Sequence, residues 1–260
     1  MNGFIKKKKM FKFIQSIVFF SVLISFQKVK AQNDFHLIVK YNHRVQLDEL
    51  PRFERYSYLQ ATSSTSVYEV DALNKYNNDY LDDVSNKSEN NFVIKARSND
   101  FYYKDLKNEI MIYPEMISMK FFNIKENLNI FDWELVEGEK EILGYKCYKA
   151  ELNFRGRKYT AYYSPEVPIS NGPWKFNGLP GLILEIFDEK KEFVINALEI
   201  KLLKNKSVSL ANPYDSEKTI SREEFIEIYK RKYEEVKRNG MSEYGPTILL
   251  PKKNIETYID

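Results

Sequence analysis

Asn171-Gly172-Pro173-Trp174-Lys175-Phe176-Asn177-Gly178-Leu179-Pro180-Gly181-Leu182-Ile183-Leu184-Glu185-Ile186 sets a loop bearing Gly and Pro directly against an apolar run. Pro180 fixes its own φ and Gly181 is free to take φ > 0, so the pair suits the two central positions of a type II turn, with Gly178 easing the approach. Leu182, Ile183, Leu184 and Ile186, after Leu179, then read as a buried strand. The stretch is a backbone signature, because none of its side chains unaided can attack a carbonyl, pass a proton or hold a metal. Trp174 stands out within it: flanked by Pro173 and Lys175, it has no strand or helix of its own to bury a large ring unless the loop folds over something.

Upstream, Tyr148, Ala150, Leu152 and Phe154 alternate with Lys149, Glu151 and Asn153, the period-two pattern of a half-buried strand. Arg155-Gly156 makes a two-residue turn. Tyr159, Ala161 and Tyr163 face back on the return strand until Pro165 and Pro168 stop the ladder, since proline cannot donate to it. Downstream, residues 182–187 and 193–203 make two strands around the charged loop Asp188-Glu189-Lys190-Lys191. Further strands are expected at 35–41, 56–68, 91–95, 101–103, 109–113, 119–122 and 133–135, with a polar loop over 74–90. One helix is expected late in the chain. Ser221 and Glu224 have capping-box spacing, Phe225, Ile228, Tyr229, Tyr233 and Val236 recur at helical intervals, and Gly240 is the stop. The expected fold is mainly β (α+β): a single antiparallel, curved sheet or half-barrel meander with a C-terminal amphipathic helix that lays its apolar stripe on the sheet.

The segment from Trp133 to Asp188 resembles the GLPGLI family, exported proteins of Bacteroidetes-type bacteria. Three blocks carry the resemblance: Ile142 to Ala150, with Gly144, Tyr145 and Cys147; Arg155-Gly156-Arg157 on to Ser164 through Ile169; and Gly178-Leu179-Pro180-Gly181-Leu182-Ile183. Tyr162 stands where the family often has Trp. The resemblance implies export and a β-rich fold, and it brings no catalytic residues.

The N-terminus has its own logic. Lys6 to Lys9 and Lys12 precede an apolar stretch from Phe13 to Phe26, and Val29-Lys30-Ala31 offers small residues at the two positions a signal peptidase reads. A membrane anchor would need about 20 apolar residues, and this run is broken by Gln15 and ended by Gln27-Lys28. Residues 1–31 are therefore read as a signal peptide and 32–260 as one β-rich domain, periplasmic or secreted and not membrane-spanning after cleavage. With Cys147 as the single cysteine, the cleavage point has no residue to lipidate and the chain has no internal disulfide. Cys147 reads as a small buried apolar residue. The leader contributes seven lysines and no acid, so the formal charge of +3 becomes −4 once it is gone, which removes the case for nucleic acid as a partner.

Chemistry is sparsely supplied. His36 and His43 lie seven apart, on opposite faces of an expected strand, and no Gly-rich phosphate loop or Gly-x-Ser-x-Gly elbow is present. No metal site, cofactor or catalytic residue is assigned. Glu166, Glu185 and Asp188 cluster around the Gly-Leu-Pro-Gly stretch and leave open a carboxylate-based hydrolase. The favoured reading is a binding or carrier protein for an apolar or amphipathic ligand or peptide, with Trp174, Phe176, Tyr162 and Arg157 as the candidate contacts. The alternative is an accessory docking protein for another envelope protein, with Trp174 and Phe176 in an exposed patch. Trp133 is expected to be core and intolerant of truncation, and Trp174 to be dispensable for stability but needed to retain a ligand. The leader makes a direct prediction. Intact-mass measurement of the exported protein should show a chain beginning at Gln32 without an acyl group.

Overall fold

The computed structural model describes residues 34–47, 53–71, 91–92, 100–118, 120–239, 250 and 255–259. The expected leader, the 74–90 loop and the Gly240 stop lie outside them. The strands are β1 (Phe35–Val45), β2 (Phe53–Ala61), β3 (Thr65–Val70), β4 (Asn91–Phe92), β5 (Asp100–Asp105), β6 (Ile110–Ile117), β7 (Lys120–Asn127), β8 (Glu134–Ile142), β9 (Tyr145–Phe154), β10 (Arg157–Ser164), β11 (Leu182–Asp188), β12 (Phe193–Lys204), β13 (Ser209–Leu210) and β14 (Thr219–Ser221). One helix, α1 (Arg222–Asn239), follows.

Twelve strands form a single open sheet in the order β14-β7-β6-β5-β3-β2-β1-β12-β11-β10-β9-β8. The sheet does not close on itself, and β14 and β8 are its edges. Its pairings are antiparallel except for β14 beside β7. Two successive meanders, β1 to β7 and β8 to β12, are sewn together where β1 pairs along its whole length with β12. That joint is invisible to local pattern, because it links residues 148 to 169 positions apart, from Val45 with Phe193 to Phe35 with Lys204. β4 and β13 make a separate parallel pair.

The β9–β10 hairpin turns at Arg155 and Gly156, both with positive φ (48° and 81°), the backbone of a type I′ turn that matches the twist of the flanking strands. In β11, Tyr162 opposes Glu185 and Tyr163 opposes Ile183, so Leu184 is a bulge residue. The bulge lets Leu182, Ile183 and Leu184 all be buried although strict alternation would expose one of them.

Alternation along the strands puts Leu37, Val39, Tyr41, Leu59, Tyr159, Ala161 and Ile195 into the main core, on what we term the inner face. α1 covers one side of this face. Phe225 and Tyr229 pack with Met111, Tyr113, Ile117 and Ile124 in a second cluster closed by Tyr258. Ser221 Oγ accepts the Glu224 N–H at 3.2 Å, the cap that its spacing forecast. On the other side of the sheet, Val67, Phe101, Tyr103 and Ile112 pack under Leu210 and Tyr214.

The rest of the inner face is covered by the loop between β10 and β11, residues 165–181. It returns to the sheet through the Gly-Leu-Pro-Gly stretch, whose geometry differs from the expected type II turn. The Gly181 N–H donates to the Leu179 carbonyl at 2.8 Å, which closes a γ-turn about Pro180, and φ at Gly181 is 158°. Glycine is required there by proximity: an added Cβ would lie 2.2 Å from the Ser164 carbonyl oxygen and 2.8 Å from the Pro165 nitrogen. Both obstacles are backbone and neither can swing aside. Gly181→Ala should therefore destabilise the protein by about 1 to 3 kcal/mol, as overpacking does; an unchanged thermal midpoint would show that β10 and the loop can part at that point.

Candidate functional site: the covered inner face

A loop laid on an apolar surface brings backbone donors and acceptors with it, and each must find a partner or carry a penalty of about 1 to 3 kcal/mol. Some partners are internal: Asn171 N–H donates to the Ile169 carbonyl (2.8 Å) and Phe176 N–H to the Pro173 carbonyl (3.1 Å). Others come from the sheet. The Ile183 N–H reaches the Asn171 carbonyl at 3.0 Å, and the Tyr41 hydroxyl donates to the Ile183 carbonyl at 2.9 Å.

The most unusual partner is Lys104 on β5, which is fully buried. Its Nζ donates to Asn171 Oδ1 (3.1 Å), the Gly172 carbonyl (2.9 Å) and the Phe176 carbonyl (2.6 Å). Three acceptors match the three N–H bonds of an ammonium, whereas a neutral amine would serve only two of them. Burial pushes the Lys104 pKa well below its ordinary value, because the low-dielectric interior disfavours the charged form. Among the described residues no carboxylate pairs with it.

The loop's own lysine is treated differently. Lys175, equally buried, reaches Glu115 on β6 and Glu256 in the C-terminal segment, each at 2.8 Å, and lies 3.8 Å from the centre of the Tyr113 ring. Glu256 also takes both oxygens to Arg155 (3.1 Å each) and one to Arg222 at the start of α1 (3.3 Å). Arg155 pairs with Glu126 as well, and the Tyr113 and Tyr258 hydroxyls donate to Glu126 and Glu115 at 2.8 and 2.9 Å. Three cations and three carboxylates thus form a seam tying the cover, the helix, the C-terminal segment and the sheet. Burial alone would raise the Glu256 pKa, but Lys175, Arg155 and Arg222 outweigh it and hold it below the usual carboxylate value.

The structure sorts the sequence candidates sharply. Trp174 and Phe176 sit side by side in the main core, their ring centroids 5.2 Å apart and each against Phe193. Trp174 is 3% exposed and Phe176 0%, so the exposed docking patch loses both its residues. The loop does fold over something: it is the sheet that buries Trp174. Truncating Trp174 would therefore remove core, a change that costs about 3 to 5 kcal/mol, contrary to its expected dispensability. Trp133 is only partly buried; its Nε1–H donates to the Asn177 carbonyl at 2.8 Å and pins the end of the cover. Leu179, Leu182, Ile183 and Cys147 are core, and burial lifts the Cys147 thiol to about 11. Gly144 lies in the β8–β9 turn with Tyr145 opening β9, and Gly178 takes φ 95° beside the Trp133 ring.

Arg157 is buried and structural, donating to the Ile255 carbonyl (2.8 Å) and paired with Asp188 and Glu192. Tyr162 is partly buried at the margin of the main core, under the Lys140 ammonium at 4.1 Å. The three carboxylates of the hydrolase reading each have a separate partner: Glu185 pairs with Lys140, Asp188 with Arg157, and Glu166 accepts the Lys146 N–H. None of them lines the half-open cleft of about 480 Å³ beside Trp133, which is walled by Asp132, Glu134, Glu151, Leu152, Asn153 and Lys158. Glu151 there is pulled down to about 2 by Lys149 and Lys158. His43 packs against Phe53, Tyr68 and Phe193, with burial lowering its pKa to about 3, while His36 bonds Gln60. Among the described residues no group of His, Cys, Asp and Glu could hold a metal ion. No helix among them is long and apolar enough to cross a membrane.

Sequence reasoning missed Lys104, Lys175, Arg155, Arg222, Glu115, Glu126 and Glu256. A signal existed for one of them. In Phe101-Tyr102-Tyr103-Lys104, alternation places Lys104 on the face of Tyr102.

A family model described as "Protein of unknown function (Porph_ging)" matches residues 153–185, from the end of β9 through the cover into β11. None of the curated proteins matches the chain. Among solved structures, PNGF-II in a P21 crystal form is similar over 76% of this chain at 13% identity with a TM-score of 0.49; the chain spans 34% of the length of that protein. A LolA superfamily protein from Nitrosomonas europaea is similar over 70% of this chain and 89% of its own (11% identity, TM-score 0.27). A DUF1329 family protein from Desulfovibrio piger follows at 71% and 90% (10% identity, TM-score 0.22).

The seam makes a pH prediction. With its folded pKa below 4.5, Glu256 contributes stability that is complete above that value and is lost as pH falls through the folded pKa. Glu256→Gln should lose about 3 to 5 kcal/mol at neutral pH, as a broken buried ion cluster does, and should show a flatter decline below about pH 4.5 than wild type. Thermal melts across that range check both; parallel acid limbs would place the acid sensitivity in other carboxylates.

Proposed function

We propose that this chain is an exported, non-catalytic binding protein that holds an apolar or amphipathic ligand against the inner face of its sheet, in the place taken by the loop 165–181. One observation carries the reading. An open twelve-stranded sheet has an apolar face covered partly by a helix and otherwise by a connecting loop, which packs Trp174, Phe176 and Leu179 onto the sheet and is tied to it by the polar hooks of Lys104 and Lys175. Polar hooks are exchangeable in a way that a second packed sheet is not: each can be handed to another acceptor without reorganising the strands. Strain favours the same view. Trp174 has φ 53°, a left-handed conformation uncommon for a bulky residue, of the kind that costs about 1 to 3 kcal/mol and collects at switching segments. Export rests on the leader, and a periplasmic or secreted address follows from it.

The docking alternative needed an exposed aromatic patch built from Trp174 and Phe176, and both are core. The hydrolase alternative needed convergent carboxylates, and Glu166, Glu185 and Asp188 are engaged one by one. Native mass spectrometry of the protein purified from its own cells tests the proposal, with binding of the neutral dye N-phenylnaphthylamine as a second readout. A small-molecule adduct lost on denaturation, or saturable dye binding, is expected. A bare mature mass together with no saturable dye binding would overturn it.

A further inference from the structure

The reading of the inner face as a ligand site leaves the nature of the ligand open, and Lys104 bears on it. Resting on that reading, we infer that the ligand is an anionic amphiphile and that Lys104 binds its acidic group, a carboxylate or a phosphate. The oxygens of Asn171, Gly172 and Phe176 occupy that position while the loop lies closed.

Three observations converge. The first is the contrast among buried cations. Lys175, Arg155, Arg157 and Arg222 are each paired with carboxylates, whereas Lys104, as deeply buried, is met among the described residues by neutral oxygens. A tether for a loop does not need a charge. A neutral donor at this position would hold two of the three acceptors without the large desolvation penalty of an ammonium, so a lysine kept here fits a partner that is itself negative and stabilises the ammonium.

Geometry is the second. Oxygens at 2.6, 2.9 and 3.1 Å show that the Lys104 ammonium turns its N–H groups toward the loop side, where an oxygen of an acidic group could take the place of one of them with the gain of charge assistance. The third is the state of the polar groups around the hook. Asn171 Nδ2, on the amide whose oxygen meets Lys104 Nζ, is buried with no hydrogen-bond partner among the described residues. The closed arrangement therefore leaves one donor, Asn171 Nδ2, unused beside the Lys104 ammonium. Aliphatic side chains on the same face, among them Leu37, Val39 and Leu59, supply the surface for an alkyl chain.

Titration of the full mature chain with palmitate, hexadecyl phosphate and the neutral hexadecanol tests this. Wild type should bind one or both acids at least about tenfold more tightly than the alcohol, and the better of the two tells whether a carboxylate or a phosphate is read. Lys104→Met should bind all three alike, while Lys104→Arg should keep the preference for acid. Should Lys104→Met fail to fold, the acid-to-alcohol ratio of wild type and Lys104→Arg still decides. Equal affinities for acid and alcohol in wild type, or an undiminished preference in folded Lys104→Met, would overturn the inference and leave the binding reading standing. No binding of any of the three would overturn the inference as well, and the binding reading would fall with it only if the native mass were bare and the dye did not bind.

Discussion

A loop can be buried only if its backbone polar groups are satisfied, and in this protein two of its carbonyls, those of Gly172 and Phe176, are met by one buried lysine. Lys104 gathers Asn171, Gly172 and Phe176 around its Nζ, and in doing so fixes the path of the segment that carries Trp174 and Phe176 into the core. With those oxygens anchored, Trp174 can reach Tyr102 and Phe193, and Phe176 can reach Tyr159 and Phe131. The apolar contacts supply the area and the lysine supplies the register.

The same division holds at the seam. Glu256 arrives from the far end of the chain and meets Lys175 from the cover, Arg155 from the β9–β10 turn and Arg222 from α1. Buried ions of this kind are poor sources of net stability, because the desolvation of each group cancels much of the attraction. Their effect is on uniqueness: a shifted helix or a slipped loop would strand a charge in the interior. The two pieces that cover the inner face are thereby held in one arrangement, although neither is part of the sheet ladder.

Such an arrangement is also one that can be exchanged. Apolar covers are displaced by apolar ligands at little net change in buried area, and polar hooks transfer to other acceptors when those are better ones. The strained Trp174 backbone and the unpartnered Asn171 Nδ2 beside Lys104 belong to the same picture. Function here would reside in the grip of sheet on loop.

Local order of residues was enough to determine many of the elements, although the run expected as one strand over 56–68 is two, β2 and β3, parted at Thr62 to Ser64, and the short strand expected at 133–135 is the longer β8. Alternation in Tyr148 to Phe154, the Arg155-Gly156 turn, the charged loop before Phe193 and the Ser221 cap each act over a few positions, where strand period and hydrogen-bond reach are the same in any context. Gly181 was legible as an obligatory glycine, though its reason was not: the obstacle is the Ser164 carbonyl, brought close only when β10 and β11 pair. The pairing of β1 with β12, the Leu184 bulge and the descent of residues 165–181 onto the sheet were decided by tertiary structure alone. They join positions that no local pattern relates, and packing selects them by total buried area. The same is true of Lys104 and Glu256. A lysine in a strand and a glutamate near the C-terminus read as solvated charges until the fold removes the solvent, and only then does the question of what each one binds arise.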